Sequence, residues 1–138
     1  MQYLTELAQN PIVQILINVF FVFLGVTIGG TFADIDLAPP LPISHRSFWT
    51  HGLLVPLALA WVMDYHPLVF WFALGFLPAY AIHLAHDMFP KRWHGGAKIK
   101  LFPIPLTLPA LFSFLWLAAG TFWAGKMFVQ LIWFTWIV

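Results

Sequence analysis

Residues 11–30 read PIVQILINVFFVFLGVTIGG, an apolar run whose polar breaks are only Gln14, Asn18 and Thr27. A helix needs about 20 such residues to cross the ~30 Å hydrocarbon core of a bilayer. This stretch is therefore read as a first transmembrane helix, and it sets the solvent for the rest of the chain. The composition agrees: of 138 residues, 62% are hydrophobic and 8% charged, against about 25% charged in soluble domains. A soluble fold of this size leaves too much of its chain exposed to hide that apolar surface. The 15 Phe and 8 Trp suit lipid-facing layers and membrane interfaces. Backbone groups in lipid have to be satisfied within helices. The expected fold is an all-α integral membrane protein, a single domain over residues 1–138.

Working outward, residues 1–10 hold Glu6 and no Lys or Arg. They lack the positive segment of a secretory signal peptide and read as an interfacial lead-in. Residues 31–47 are rich in proline and polar groups, and should fold back against protein. The second run, 48–63, is short and contains Thr50, His51 and Pro56. Residues 64–67 make a turn, and the third run covers 68–88. Residues 89–100 form a loop with Lys91, Arg92, Lys98 and Lys100, and the fourth run covers 104–124. A last apolar piece, 127–138, is either a short fifth span or an interfacial helix. The expected architecture is thus a bundle of four transmembrane helices with that fifth segment left open.

Lys and Arg concentrate in cytoplasmic loops. Four of the six basic residues lie in the loop after the third run, so that loop should be cytoplasmic. Arg46 then falls on the same side and Lys126 on the other. One consequence concerns chemistry. Asp34, Asp36, His45, Arg46 and His51, around the first loop, share a membrane face with His83, His86 and Asp87 at the end of the third span.

His83, His86 and Asp87 stand at i, i+3 and i+4, on one face of a helix. Ionisable groups within a span are costly and usually face a protein interior or water; the bland alternative is a helix end whose Asp87 pairs with Lys91 or Arg92. Asp34 and Asp36 can both approach a cation if the backbone is extended, or serve as a solvated cap. His45 and His51 are six residues apart and need a bend to meet. Arg46 could clamp a phosphate or carboxylate. Together these groups form an oxygen and imidazole donor set suited to zinc, with iron or manganese as alternatives. They exceed what one ion needs, so either two ions bind or some groups act as outer partners or general base. His66 falls on the opposite face and is left out; His94 is on the correct face. The absence of cysteine excludes disulfides and thiolate sites, and a net charge of +1 gives no footprint for nucleic acid.

The run Asp34-Ile35-Asp36, then His45-Arg46-Ser47-Phe48-Trp49-Thr50-His51, then His83-Leu84-Ala85-His86-Asp87 resembles the LexA-regulated, inner-membrane, predicted metal-dependent hydrolases of bacteria. That family shows Asp-x-Asp, His-Arg-Gly-x-Thr-His-Ser and His-x-x-x-Asp in this order, then a glycine and an apolar proline-containing stretch, here Gly95-Gly96 and Leu101-Phe102-Pro103. The likeness covers roughly residues 25–105. Ser47 replaces the family's glycine, one extra residue separates Arg46 from Thr50, Gly52 replaces its serine, and His86 is an added imidazole. The resemblance implies metal ligation by Asp34, Asp36, His45, His51, His83 and Asp87. It also implies a place in the bacterial inner membrane.

The resulting expectation is a metal-dependent hydrolase acting on an ester or phosphoester, lipid-like or small, at the cytoplasmic face. One or two divalent ions, zinc first, would be its cofactor, with Asp36, Arg46 and His86 in catalytic roles. Membrane lipid is the expected partner, and a homo-oligomer or larger membrane complex is open. The alternatives are a non-catalytic subunit of such a complex that keeps an inherited metal-site fold, and a haem protein with His51 and His83 as axial ligands. The aspartates argue against haem.

Overall fold

The computed structural model describes residues 9–37, 46–63, 66–89, 98–101, 104 and 106–137, with the backbone alone at 35–37 and 135–137. Four helices are present among them: α1 (Pro11–Thr31), α2 (Leu54–Met63), α3 (Pro67–Met88) and α4 (Ala110–Ile137). A 3-10 turn, Phe32–Leu37, prolongs α1. No strand occurs among the described residues beyond isolated bridges of Lys100 to Ser47 and Thr107.

Local chemistry sets the ends. The Asn10 side chain accepts from Ile12 N at 2.9 Å, with Pro11 opening α1. His66 Nδ1 accepts from Leu68 N at 3.2 Å, with Pro67 opening α3. Both pairs join a capping acceptor to a proline whose missing N–H would have had no helical partner. His66 is thus a cap, in keeping with its omission from the site.

Three helices are long and apolar enough to cross a membrane: residues Pro11–Asp34, Pro67–Met88 and Ala110–Phe134. Their outward side chains, among them Ile12, Phe23, Ile82, Phe122 and Trp133, are exposed apolar groups of the kind that lipid covers. The chain is a membrane protein on this ground.

Two expectations change. The second run is helical only over Leu54–Met63, ten residues, or about 15 Å, half of the hydrocarbon thickness. Residues 46–53 are turns because Thr50, His51 and Gly52 are engaged by other elements, as described below. The fourth run and the last apolar piece are one helix of 28 residues. It begins only after Pro109 and passes through Gly125 and Lys126 without a break. A single interior glycine costs a helix about 1 kcal/mol, too little to end one this long. Lys126 Nζ lies 4.8 Å from the centre of the Trp123 ring one turn back. Residues 127–137 are therefore the end of α4, neither a separate span nor a separate interfacial helix.

The central element is α3, which buries Ala73, Gly75, Phe76, Leu77, Tyr80 and Leu84. α1 packs along it through glycines. A Cβ on Gly25 or Gly29 would strike the backbone of Phe72 or Phe76, and one on Gly75 would strike Val22. Small residues let helix backbones approach this closely in membranes. The pairings rise together along both helices, so α1 and α3 run parallel. α4 runs antiparallel to α3, with Gly120 against Leu84 and Phe89 against Phe114. Because α1 and α3 are parallel, the chain between them returns to its starting face. The C-terminal ends of both helices consequently lie together, beside the start of α4.

Candidate metal centre

At that shared end, Asp34, His51 and His83 each offer a ligand atom, and the three atoms lie within 4.8 Å of one another. They come from three separate segments: the 3-10 turn after α1, the turn before α2, and the last two turns of α3. His51 is fully buried, while the Asp34 side chain is 43% exposed and so opens the cluster to one side.

Each histidine is held by its other nitrogen. His83 Nδ1 lies 2.9 Å from the carbonyl oxygen of Gly30. A carbonyl only accepts, so Nδ1 carries the proton and, in the neutral ring, Nε2 carries the lone pair. His51 Nδ1 lies 3.0 Å from Thr50 Oγ1, whose hydroxyl is in turn 3.5 Å from Ser47 O. If that proton goes to Ser47, the Thr50 oxygen accepts from His51 Nδ1 and His51 Nε2 also presents a lone pair. Metal-ligating histidines are typically fixed in this way.

Asp87 lies outside the three-residue group but touches two of its members. Its Oδ2 is 3.2 Å from His51 Nε2 and 3.7 Å from His83 Nε2, and its Oδ1 is 3.1 Å from Arg46 Nη2. His83 Nε2 is also 3.7 Å from Asp34 Oδ1. His83 Nε2, Asp87 Oδ2 and Arg46 Nε are buried and make no hydrogen bond among the described residues. Buried polar groups without a partner are expensive, and the His83 and Asp87 lone pairs, where they face one another, repel. With neutral imidazoles, Asp34 and Asp87 contribute −2 and Arg46 contributes +1, leaving −1 to attract a cation. A divalent ion fits this donor set: imidazole and carboxylate, with fewer protein ligands than an ion accepts.

The turn that carries His51 is anchored from two helices. The Tyr80 hydroxyl, fully buried, donates to Thr50 O at 2.7 Å and accepts from Gly52 N at 2.9 Å. Trp116 of α4 stacks on Phe48, with centroids 4.1 Å apart and planes at 12°, and donates from Nε1 to Phe48 O at 3.3 Å. Gly52, at φ 157°, admits the Trp116 ring where a Cβ would collide with it. Arg46 sits in the left-handed region at φ 66°, uncommon for a non-glycine residue. Its carbonyl accepts from Lys100 N at 3.0 Å, and Phe48 N donates to Lys100 O at 2.9 Å. Ser113 Oγ, at the start of α4, receives Ile99 N at 3.0 Å and so ties this strip to the bundle.

Of the residues expected from the sequence, Asp34, Arg46, His51, His83 and Asp87 come together. Asp36 lies in the 3-10 turn, but its side chain falls outside the described residues, as do His45 and His94 altogether. His86 is exposed and stands apart from the cluster. Each helical residue turns about 100°. Measured from His83, Asp87 and Tyr80 lie about 40° and 60° to one side, and His86 about 60° to the other. The bundle is on the Tyr80 side, so His86 points away from its expected catalytic place. Tyr80, which was not expected, shares the His83–Asp87 face by the same periodicity, and that spacing is the signal that could have found it. No protein-family model, curated protein or solved structure matches the chain.

Proposed function

We propose that the protein is a metal-dependent hydrolase of the bacterial inner membrane, cutting an ester or phosphoester at the cytoplasmic face. The observation that carries the reading is the convergence of Asp34, His51 and His83 within 4.8 Å from three separate segments, with the Arg46–Asp87 pair beside them. Zinc is the first choice of ion, since two imidazoles and a carboxylate with an open position are its usual catalytic set. When bound, the ion would supply Lewis-acid polarisation of the scissile group and a water acidic enough to attack near neutral pH. Asp34, His51 and His83 would hold it, with Gly30 and Thr50 fixing the two rings. Asp87, within 3.2 Å of His51 and 3.7 Å of His83, would take up the proton of the attacking water, and Arg46 would keep that carboxylate in place. Asp36 remains a candidate for a further ligand or base. Arg46, Lys98 and Lys100 at the site end favour its cytoplasmic placement.

The test uses the full chain in detergent with p-nitrophenyl acetate and bis(p-nitrophenyl) phosphate as probes. Hydrolysis of one of them should require added zinc and vanish in Asp34→Ala and His51→Ala variants. Zinc retention without hydrolysis of either probe would favour a structural metal in a non-catalytic membrane subunit.

A further inference from the structure

α2 packs against α3 and α4, yet no Cα of α2 comes within 8 Å of one in α1. The gap between them is a groove of about 340 Å³. Ile28 and Phe32 line its α1 side, Leu59 and Val62 its α2 side, and Phe72 and Phe76 of α3 its floor. Its volume falls in the ~300–1,000 Å³ range of ligand sites. None of the cluster's described residues lines the groove, but two of its lining residues adjoin them in sequence. Phe32 stands two residues before Asp34, and Trp49, which also lines it, two residues before His51. From there it follows α2 from Leu54 to Val62, about 12 Å along the helix, away from the site and into the bundle's apolar depth.

Two further features belong to the turn that carries Trp49 and to the strip bonded to it. Arg46 Nε is buried and makes no hydrogen bond among the described residues, although its Nη2 holds Asp87. Lys98 and Lys100 are exposed, and Lys100 is hydrogen-bonded through its backbone to Arg46. A guanidinium with an N–H to give, on a turn bonded to a strip that carries two exposed lysines, is suited to a phosphate. An apolar slot that this turn helps to line, in a chain surrounded by bilayer, matches a lipid with one tail and one anionic head.

We propose that the gap between α1 and α2 is the tail groove of a single-chain lipid phosphoester, whose head enters the Asp34–His51–His83 cluster beside Arg46. This rests on the hydrolase reading for the fate of the lipid, but its binding stands separately. A tail gains little from leaving the bilayer for an apolar groove, so the head supplies the affinity and the groove supplies the register. It lets the phosphoester reach the cluster while the tail stays out of water, and it excludes heads whose tails are too bulky for the slot.

The experiment is photolabelling of the zinc-loaded full chain in detergent with dodecyl phosphate carrying a diazirine at the tail end, mapped by peptide mass spectrometry. Label should concentrate on Leu59, Val62 and Phe72. Unlabelled dodecyl phosphate should compete it away and excess inorganic phosphate should weaken it, whereas dodecanol, which has the tail and no anionic head, should leave it in place. Ala58 is an exposed residue that lines the groove. Ala58→Trp should reduce groove labelling to the level at the lipid-facing Phe20 and Phe23 while zinc retention stays unchanged. Val62→Phe, a smaller change, should act in the same direction. The proposal is overturned if label is as heavy on Phe20 and Phe23 as in the groove, if neither variant alters it, or if dodecanol displaces it as well as dodecyl phosphate does. Groove labelling without any hydrolysis upholds the lipid site and removes the hydrolase.

Discussion

His83 Nδ1 is 2.9 Å from the carbonyl oxygen of Gly30, so the last turns of α1 and α3 are joined at the atom that fixes which nitrogen of His83 can bind a metal. The same relation on the second histidine runs through Thr50. Outer partners of this kind typically contribute 10–100-fold to metal affinity. Thr50→Val keeps the shape and removes the oxygen beside His51 Nδ1. It should weaken zinc binding by about 10–100-fold, as read by competition with a fluorescent zinc chelator. Unchanged affinity would mean that His51 needs no partner at Nδ1.

Tyr80→Phe should act on both fold and site. The lost hydroxyl removes the bonds to Gly52 N and Thr50 O, at 2.9 and 2.7 Å. Losing buried bonds of this kind costs about 1–3 kcal/mol. The midpoint of thermal unfolding in detergent should fall accordingly, and zinc affinity should fall with it because the turn carrying His51 loses its tie to α3. A fall in stability with full zinc affinity would mean that Trp116 and Phe48 alone position the turn.

Neighbouring glycines should respond oppositely. A Cβ on Gly29 would collide with the Phe76 backbone, whereas one on Gly30 would meet nothing within 4 Å. Gly29→Ala should therefore destabilise the protein by about 1–3 kcal/mol, as overpacking against rigid backbone does. Gly30→Ala should be neutral or slightly stabilising through helix propensity. Equal effects at the two positions, measured by denaturation in mixed micelles, would contradict the parallel α1–α3 contact.

These contrasts show what the chain alone made legible. The long apolar runs named α1, α3 and most of α4, because hydrocarbon thickness dictates their length. The convergence of Asp34 and His51 with His83 and Asp87 followed from placing the two loops on one face. The rest depended on tertiary contacts that no run records. The second run is as apolar as a span, yet its first residues are held as a turn by Tyr80 and Trp116, which lie 30 and 68 positions away in their bonds to Thr50 and Phe48. Gly125 and Lys126 resemble a break, but nothing there caps a helix. His86 was grouped with His83 and Asp87 by spacing; only the packing of α3 shows which edge of that face is turned inward.

The most direct test of the central claim is the coordination shell of zinc bound to the full chain in detergent, read by X-ray absorption. The account predicts one tightly held ion with two imidazoles and oxygen donors at about 2.0–2.2 Å, and loss of one imidazole in His83→Ala. A chain that retains no zinc, or a shell that is the same in His83→Ala as in the unaltered protein, would contradict it.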